Sequence, residues 1–343
     1  MSGHTDTSLS HNTLPGPIDT ILSDDTLGSI EISGLAKANN GEYVALEIPR
    51  ELPDPLSNDL NYPHRDRLQN REFPSSDGKK PALKLKLGEL LGEGSCGWTY
   101  AVEVIPPPSG YTFTIPHPLV VKIAKQTEGR RISEEADVYD MLKPVQGKAT
   151  AWCYGYFRRP VNLQELSITP WDPETTFPRS KETFDVHNMP HPCASLSILL
   201  LERLGKPLSE TVDPSRPDSL RNIPEAVLRE QLMQLCRDVY QCRIVHLDIK
   251  PSNILRASLN APAPASSTDI SSPVNLWRLV DWDQAQKVKW PLRYSEPYSF
   301  TIDGMMDLVV PKFYAYEDEL QMEEEREAKK LEMTRLRKVG SSA

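Results

Sequence analysis

The sequence lacks the features that mark disulfide-rich, zinc-binding and membrane proteins. Its five cysteines are odd in number and form no Cys-x-x-Cys pair. That pattern favours reduced thiols in an intracellular protein over a disulfide framework or a zinc site. The first ten residues are polar and contain no apolar signal core. The most apolar short run, Leu196–Leu201, is far too short to cross a bilayer and predicts a buried strand. We therefore expect a soluble intracellular protein with no membrane partner.

An excess of positive charge is also missing. Lys and Arg number 39 against 48 Asp and Glu, so the formal net charge is −9. A surface built to bind nucleic acid carries the opposite sign, and no nucleic-acid partner is expected. Proline is abundant, with 31 residues in a chain of 343. This composition predicts a folded unit diluted by loops and tails.

Changes of composition divide the chain into four parts. The leader is rich in Ser, Asp, Asn and Pro, the second part alternates strands with glycine turns, the third begins with a helix, and the tail is dense in charge. The parts are a flexible leader (1–80), a strand-rich part (81–205) with an insertion near 160–195, a helical part (206–315) with an insertion near 257–274, and a charged helical tail (316–343).

Three short strands and a helix open the second part. Leu83–Leu87 alternates at the period of a strand, and Tyr100–Ile105 and Leu119–Ala124 predict two more. Residues 130–142 then carry apolar side chains at helical spacing. The order of strand, glycine turn, strand, turn and strand predicts an antiparallel meander rather than a βαβ unit.

The turn between the first two of these strands has the pattern Gly-x-Gly-x-x-Gly, formed by Gly92, Gly94 and Gly97. Glycines let the backbone approach phosphates and offer N–H groups without a Cβ in the way. Alone the pattern is weak, and a plain hairpin turn is the favoured interpretation. Its position between two strands distinguishes it from the strand-to-helix turn of a dinucleotide-binding fold.

Lys122 interrupts the apolar strand Leu119–Ala124. A lone lysine there is usually a solvated edge residue, but after a glycine-rich hairpin it can point at the α- and β-phosphates of ATP. Glu135, thirteen residues further on and on the predicted helix, can orient that lysine through an ion pair. The competing interpretation of Glu135 is an ordinary acidic helix face, since Glu134 stands beside it.

The most informative segment is His246-Leu-Asp-Ile-Lys-Pro-Ser-Asn253. Phosphoryl transfer needs a carboxylate that orients the acceptor, a cation for the γ-phosphate charge and an oxygen ligand for Mg²⁺. Asp248, Lys250 and Asn253 supply these types in that order. Asp281, at the end of the apolar run Leu279-Val280, offers the second Mg²⁺ ligand, although a carboxylate there can also merely cap a turn.

Together these segments resemble the eukaryotic protein-kinase superfamily, with a catalytic loop of the serine/threonine type, from about Leu87 to about Asp283. The resemblance implies an α+β, two-lobed protein-kinase-like fold with an antiparallel-sheet N-lobe (81–205) and a mostly helical, shortened C-lobe (206–315). It also implies ATP and Mg²⁺ as cofactors. The residues that carry it are Gly92, Gly94, Gly97, Lys122, Glu135, Asp248, Lys250, Asn253 and Asp281.

The same resemblance places a hinge at Leu201–Leu204, where backbone groups of Glu202 and Leu204 would bond adenine. Several positions depart from the family pattern, Leu247 and Trp282 among them. Leu247 replaces the arginine that normally pairs with a phosphorylated activation loop, which puts that route of activation in doubt. Trp282 follows Asp281 where Phe is usual, and its ring is expected to pack behind the helix against His246 and Tyr139.

Three functions follow from these residues. The first is a serine/threonine-type protein kinase with an unknown protein substrate, and it is supported by Lys250. The second is a small-molecule phosphotransferase of the aminoglycoside and choline kinase kind, which Asp281-Trp-Asp283 resembles but which usually lacks a lysine at position 250. The third is an ATP-binding pseudokinase scaffold, favoured by the shortened C-lobe.

Overall fold

The computed structural model describes residues 18–21, 27–56, 82–106, 111–171, 193–211, 223–258 and 276–288, together with 304, 326, 329 and 330. The described part of the chain is mostly β. Its strands are β1 (Ile18–Ile21), β2 (Ser29–Ala38), β3 (Tyr43–Pro49), β4 (Ala82–Glu93), β5 (Gly97–Val104), β6 (Tyr111–Thr114), β7 (Leu119–Ala124), β8 (Cys153–Asn162), β9 (Leu166–Ile168), β10 (Cys193–Glu202), β11 (Ile244–Val245), β12 (Ile254–Arg256), β13 (Trp277–Leu279) and β14 (Gln286–Lys287). Its helices are α1 (Gly129–Met141), α2 (Leu208–Thr211) and α3 (Glu225–Gln241).

The main sheet has eight strands and is nearly closed into a barrel. Seven of them run in the order β3, β2, β4, β5, β7, β10 and β8, and β9 pairs with β2. The sheet is mixed, because β2 pairs with β4 in parallel whereas the other neighbours are antiparallel. Its two ends meet where Arg50 forms a bridge with Phe157, and the Glu51 N–H donates to the Tyr156 carbonyl at 2.9 Å.

Alternate residues of β7 face two different cores. Val121 and Ile123 lie in the apolar cluster enclosed by the sheet, together with residues of β2, β4 and β10. Val120 and Ala124 lie in the second cluster, against α1 and α3. Because successive side chains of a strand point to opposite faces, Lys122 is on the α1 side. This alternation turns the one charged residue of the strand away from the barrel interior.

The short strand pairs after α3 carry the remaining segments. Strand β11 pairs with β14, and β12 pairs with β13. Strand β12 begins directly after Asn253, and β13 ends two residues before Asp281. Because β12 pairs with β13, Asn253 and Asp281 lie at the same end of this strand pair. No helix in the described ranges combines the length and apolar character that a bilayer crossing requires.

The fold class expected from the sequence is wrong. An α+β, two-lobed protein-kinase-like fold with an antiparallel N-lobe sheet and a mostly helical C-lobe was predicted. The described structure is instead mostly β, with a mixed sheet nearly closed into a barrel and no helical C-lobe among the described residues. Two strands of the sheet, β2 and β3, lie within residues 1–80.

The sequence did not predict β2 as a strand, and the reason lies in its own residues. Its sequence SIEISGLAKA begins with the alternation of a strand but carries Gly34 in the middle. Gly34 has φ of +81°, in the left-handed region, and the pairing with β3 is irregular between Ile32 and Ala36. The kink changes which side chains face the core, so no single period runs through the segment.

Candidate active site

The centre of the site is an ion-paired cluster around Lys122. Its ammonium Nζ lies 2.6 Å from Glu135 Oε2 and 2.6 Å from Asp281 Oδ1. The three residues come from β7, from α1 and from the segment after β13. The Lys122 side chain is 8% exposed, that of Glu135 1% and that of Asp281 22%. The structure therefore brings together three residues predicted from separate parts of the sequence.

The charges of this cluster depend on one another. Burial acts to lower the pKa of Lys122, but the carboxylates of Glu135 and Asp281 outweigh it and hold the pKa well above its ordinary value. Burial also acts to raise the pKa of Asp281, and Lys122 reverses that effect and lowers it. Lys122 is thus a permanent cation and Asp281 a permanent anion at neutral pH.

The predicted catalytic loop forms a second cluster. Lys250 Nζ donates to Asp248 Oδ2 at 2.6 Å, and Asn253 Nδ2 donates to the carbonyl of Asp248 at 2.9 Å and to its Oδ2 at 3.1 Å. The hydrogen bond from Lys250 to Asp248, aided by the charge of Asp281, raises the pKa of Lys250. The side chain of Asp248 is 24% exposed and that of Lys250 49%, so this cluster faces solvent.

Hydrogen bonds join the two clusters. The Val280 N–H donates to the Asn253 carbonyl at 3.0 Å, next to Asp281 in the chain. His246 Nε2 lies 2.9 Å from the Val280 carbonyl, and the Asp248 N–H donates to His246 Nδ1 at 3.2 Å. Since Nδ1 accepts a bond, the proton of a neutral His246 is on Nε2. Burial lowers the pKa of His246, which favours this neutral form.

Asp281 has an unusual backbone conformation. Its φ of 68° and ψ of 66° lie in the left-handed region, where residues other than glycine are uncommon. The following Trp282 is fully buried and its ring centroid lies 4.5 Å from that of His246, as the sequence predicted. The indole N–H also donates to Thr150 Oγ1 at 3.0 Å. The anchored indole holds Asp281 in the strained conformation that points its carboxylate at Lys122.

The glycine turn lies between β4 and β5, with the Gly94 N–H donating to the Gly97 carbonyl at 2.8 Å. A Cβ on Gly97 would lie 2.4 Å from the Ile123 carbonyl oxygen, so only glycine fits beside β7. A Cβ on Gly92 would meet no atom of the described residues within 4 Å. Gly97 is therefore needed for packing, whereas Gly92 leaves open space that a phosphate can approach.

This difference predicts opposite effects of two alanine substitutions. Gly97→Ala should lower the free energy of unfolding by about 1–3 kcal/mol, because the added methyl overlaps backbone that cannot move freely. Gly92→Ala should change it by less than about 0.5 kcal/mol. Urea denaturation of both variants beside the unsubstituted chain provides the measurement. Equal stability of the two variants would contradict the assignment.

The predicted hinge residues lie at the exit of β10. The side chain of Glu202 is buried and turned into the protein, with Oε2 accepting from the Trp152 N–H at 3.1 Å and Oε1 3.7 Å from His117 Nδ1. Leu204 is partly buried against the apolar cluster that packs on α1 and α3. Beyond it, the Gly205 N–H donates to the Arg256 carbonyl at 2.8 Å, which ties this exit to β12 and so to the catalytic loop.

A further group of residues, missed at the sequence level, holds the tip of the glycine turn. Ser95 Oγ donates to Asp283 Oδ2 at 2.9 Å, and Arg131 of α1 forms an ion pair with the same carboxylate oxygen. Arg131 also donates to Ser95 Oγ at 3.2 Å. These contacts join residues up to 188 positions apart. The Asp-Trp-Asp spacing was the one sequence signal that included Asp283.

The arrangement presents a fixed cation, two groups of carboxylates and an open glycine turn. Asp281 and Asn253 both carry side-chain oxygens, the ligand type that Mg²⁺ prefers, and their segments are held together by the Val280 hydrogen bond. These are the side-chain types that a Mg²⁺–nucleotide group requires. No known protein-family model matches the chain, and no curated protein matches it either.

Proposed function

We propose that this protein is an ATP-dependent phosphotransferase that moves the γ-phosphate of Mg-ATP to a hydroxyl group. The favoured acceptor is the hydroxyl of a serine or threonine in a protein. The observation that carries the proposal is the Lys122 cluster, in which one buried ammonium pairs with Glu135 and Asp281 at 2.6 Å each. A buried charge network of this kind is weak evidence for stability and stronger evidence for a functional site. Within the described residues, the mostly-β fold brings the three side chains of this cluster together without a helical C-lobe.

Each residue of the two clusters has a role in this reaction. Lys122 binds the α- and β-phosphates, and Glu135 holds the lysine side chain in place. Asp281 and Asn253 would hold Mg²⁺, which neutralises charge on the phosphate oxygens when bound. The open space beside Gly92 would let the phosphate chain approach the glycine turn, and the backbone of Glu202 and Leu204 would bond adenine.

The transfer step uses the catalytic-loop cluster. Asp248 accepts the proton of the acceptor hydroxyl while the hydroxyl oxygen forms a bond to the γ-phosphorus. The bond between that phosphorus and the β,γ-bridging oxygen breaks, and ADP leaves with the electron pair. Lys250, held 2.6 Å from Asp248 by its hydrogen bond, stabilises the negative charge on the transferring group. Lys250 favours the protein-kinase type over small-molecule phosphotransferases, which usually lack it.

The direct test is transfer of label from γ-labelled ATP in the presence of Mg²⁺. The full chain should label itself or a serine- and threonine-containing protein acceptor. Label on small alcohols alone would replace the protein acceptor with a small molecule. ATP binding with no transfer above an Asp248→Ala background would overturn the proposal and leave a nucleotide-binding scaffold. An ATP-consuming activity also fits the intracellular location that the scattered cysteines predict.

A further inference from the structure

A thiol lies within the ion-paired centre of the site. Cys96, at the tip of the glycine turn, is fully buried, and its Sγ lies within 4.8 Å of one carboxylate oxygen of Asp281 and one of Asp283. The three ligand atoms come from two segments, the turn before β5 and the residues after β13. Hydrogen bonds to Ser95 and Arg131 position the Asp283 carboxylate from one side.

One oxygen of the Asp283 carboxylate has no partner among the described residues, although the other oxygen is paired with Arg131. The side chain is 1% exposed, and Oδ2 is bonded by Ser95 and Arg131. Its Oδ1 is buried and has no hydrogen-bond partner within the described part of the chain. A buried carboxylate oxygen with no partner raises the free energy of the folded state, and a bound cation would remove that cost. This oxygen is an observation separate from the spacing of the cluster.

We propose that Cys96, Asp281 and Asp283 form a binding site for a borderline divalent cation of the zinc class. One sulfur and two carboxylate oxygens are a three-ligand set that leaves a fourth position for water or for an oxygen of another ligand. Mg²⁺ avoids sulfur, whereas Zn²⁺ and Co²⁺ accept it, so the thiol selects between the two classes of metal. The thiol loses its proton to solvent as the metal–sulfur bond forms.

Zinc in this site has a consequence for the nucleotide. Asp281 is the residue that would hold Mg²⁺ with ATP, so zinc and Mg-ATP share one carboxylate and should compete. A metal bound to Cys96 would also tie the tip of the glycine turn to the segment after β13. The inhibitory effect rests on the proposed function, but the metal site itself does not.

The test uses Co²⁺ as a spectroscopic probe with the full, reduced chain. One equivalent should give the near-ultraviolet charge-transfer absorption of a thiolate bound to Co²⁺. Zn²⁺ should abolish this absorption on titration, because it binds such sites more tightly than Co²⁺. Cys96→Ser should lack the band, while Cys242→Ser, a half-buried free thiol outside the cluster, should keep it.

A second variant protects the result against misfolding of Cys96→Ser. Asp283→Asn keeps the thiol and should weaken Co²⁺ binding more than about 100-fold, beyond the range seen for residues that only support a ligand. No charge-transfer band in the unsubstituted chain, or an unchanged band in Cys96→Ser or Asp283→Asn, would overturn the metal site. A band without phosphoryl transfer would leave the metal site standing and remove the proposed function. Transfer without a band would do the reverse.

Discussion

Replacing Asp248 with Asn should lower the rate of phosphoryl transfer by about 10²- to 10⁴-fold. The amide has nearly the same shape but cannot accept the proton of the acceptor hydroxyl. Asp248 is partly exposed, and its carboxylate is oriented by Lys250 and Asn253. The loss should therefore appear in kcat, with little change in the affinity for ATP. Initial rates with labelled ATP and direct ATP titration separate the two quantities.

The matched control is Asp54→Asn. Asp54 is an exposed carboxylate whose backbone N–H, rather than its side chain, donates to Ser133 Oγ at 2.6 Å. This variant should keep the rate of the unsubstituted chain. If Asp248→Asn retains more than about one tenth of the activity, the rate contribution of Asp248 as a general base falls below the usual range. Another group must then orient the acceptor.

Replacing Lys122 with Met should lower the free energy of unfolding by about 3–5 kcal/mol. Methionine fills much of the same volume, so the effect comes from charge. Without the ammonium, the carboxylates of Glu135 and Asp281 face each other with no cation between them, and that of Glu135 is almost fully buried. ATP affinity should also fall because the phosphates lose their cation. Urea denaturation and ATP titration measure the two effects.

Two further variants test the cause of this loss. Lys125→Met removes a lysine of the same strand end whose partner Glu93 is 44% exposed, and it should cost about 0–1 kcal/mol. The double variant Lys122→Met, Glu135→Gln should recover part of the stability, because the buried carboxylate is removed with its partner. A loss for Lys122→Met no greater than that for Lys125→Met would contradict a buried charge network.

The site could be predicted from sequence where its chemistry is encoded locally. Asp248, Lys250 and Asn253 lie within six residues, and the hydrogen bonds among them follow from that spacing. Lys122 and Glu135 are thirteen residues apart, and the strand and helix that carry them were both recognised by their periodicity. The pairing of Lys122 with Asp281 spans 159 residues and was not predicted; the family resemblance only included both residues among its site positions.

The contacts of Asp283 and the closure of the barrel could not be predicted, because they join segments that are far apart in the sequence. Nothing near Ser95 or Arg131 in the sequence indicates that both bind Asp283. The barrel has the same origin, since its ends meet through a bridge from Arg50 to Phe157, more than 100 residues away. Family resemblance grouped residues that the structure does bring together, but it supplied the wrong fold around them.

The placement of Lys122 depends on the register of β7 between its two neighbours. Thr99 of β5 and Leu199 of β10 stand opposite Lys122 on either side. A slip by one residue would turn Lys122 into the enclosed apolar cluster and push Val121 or Ile123 into the site. Backbone hydrogen bonds to β5 on one side and β10 on the other oppose that slip, because both pairings would have to break. The sheet therefore fixes where the site's positive charge can lie before any ligand or partner acts on it.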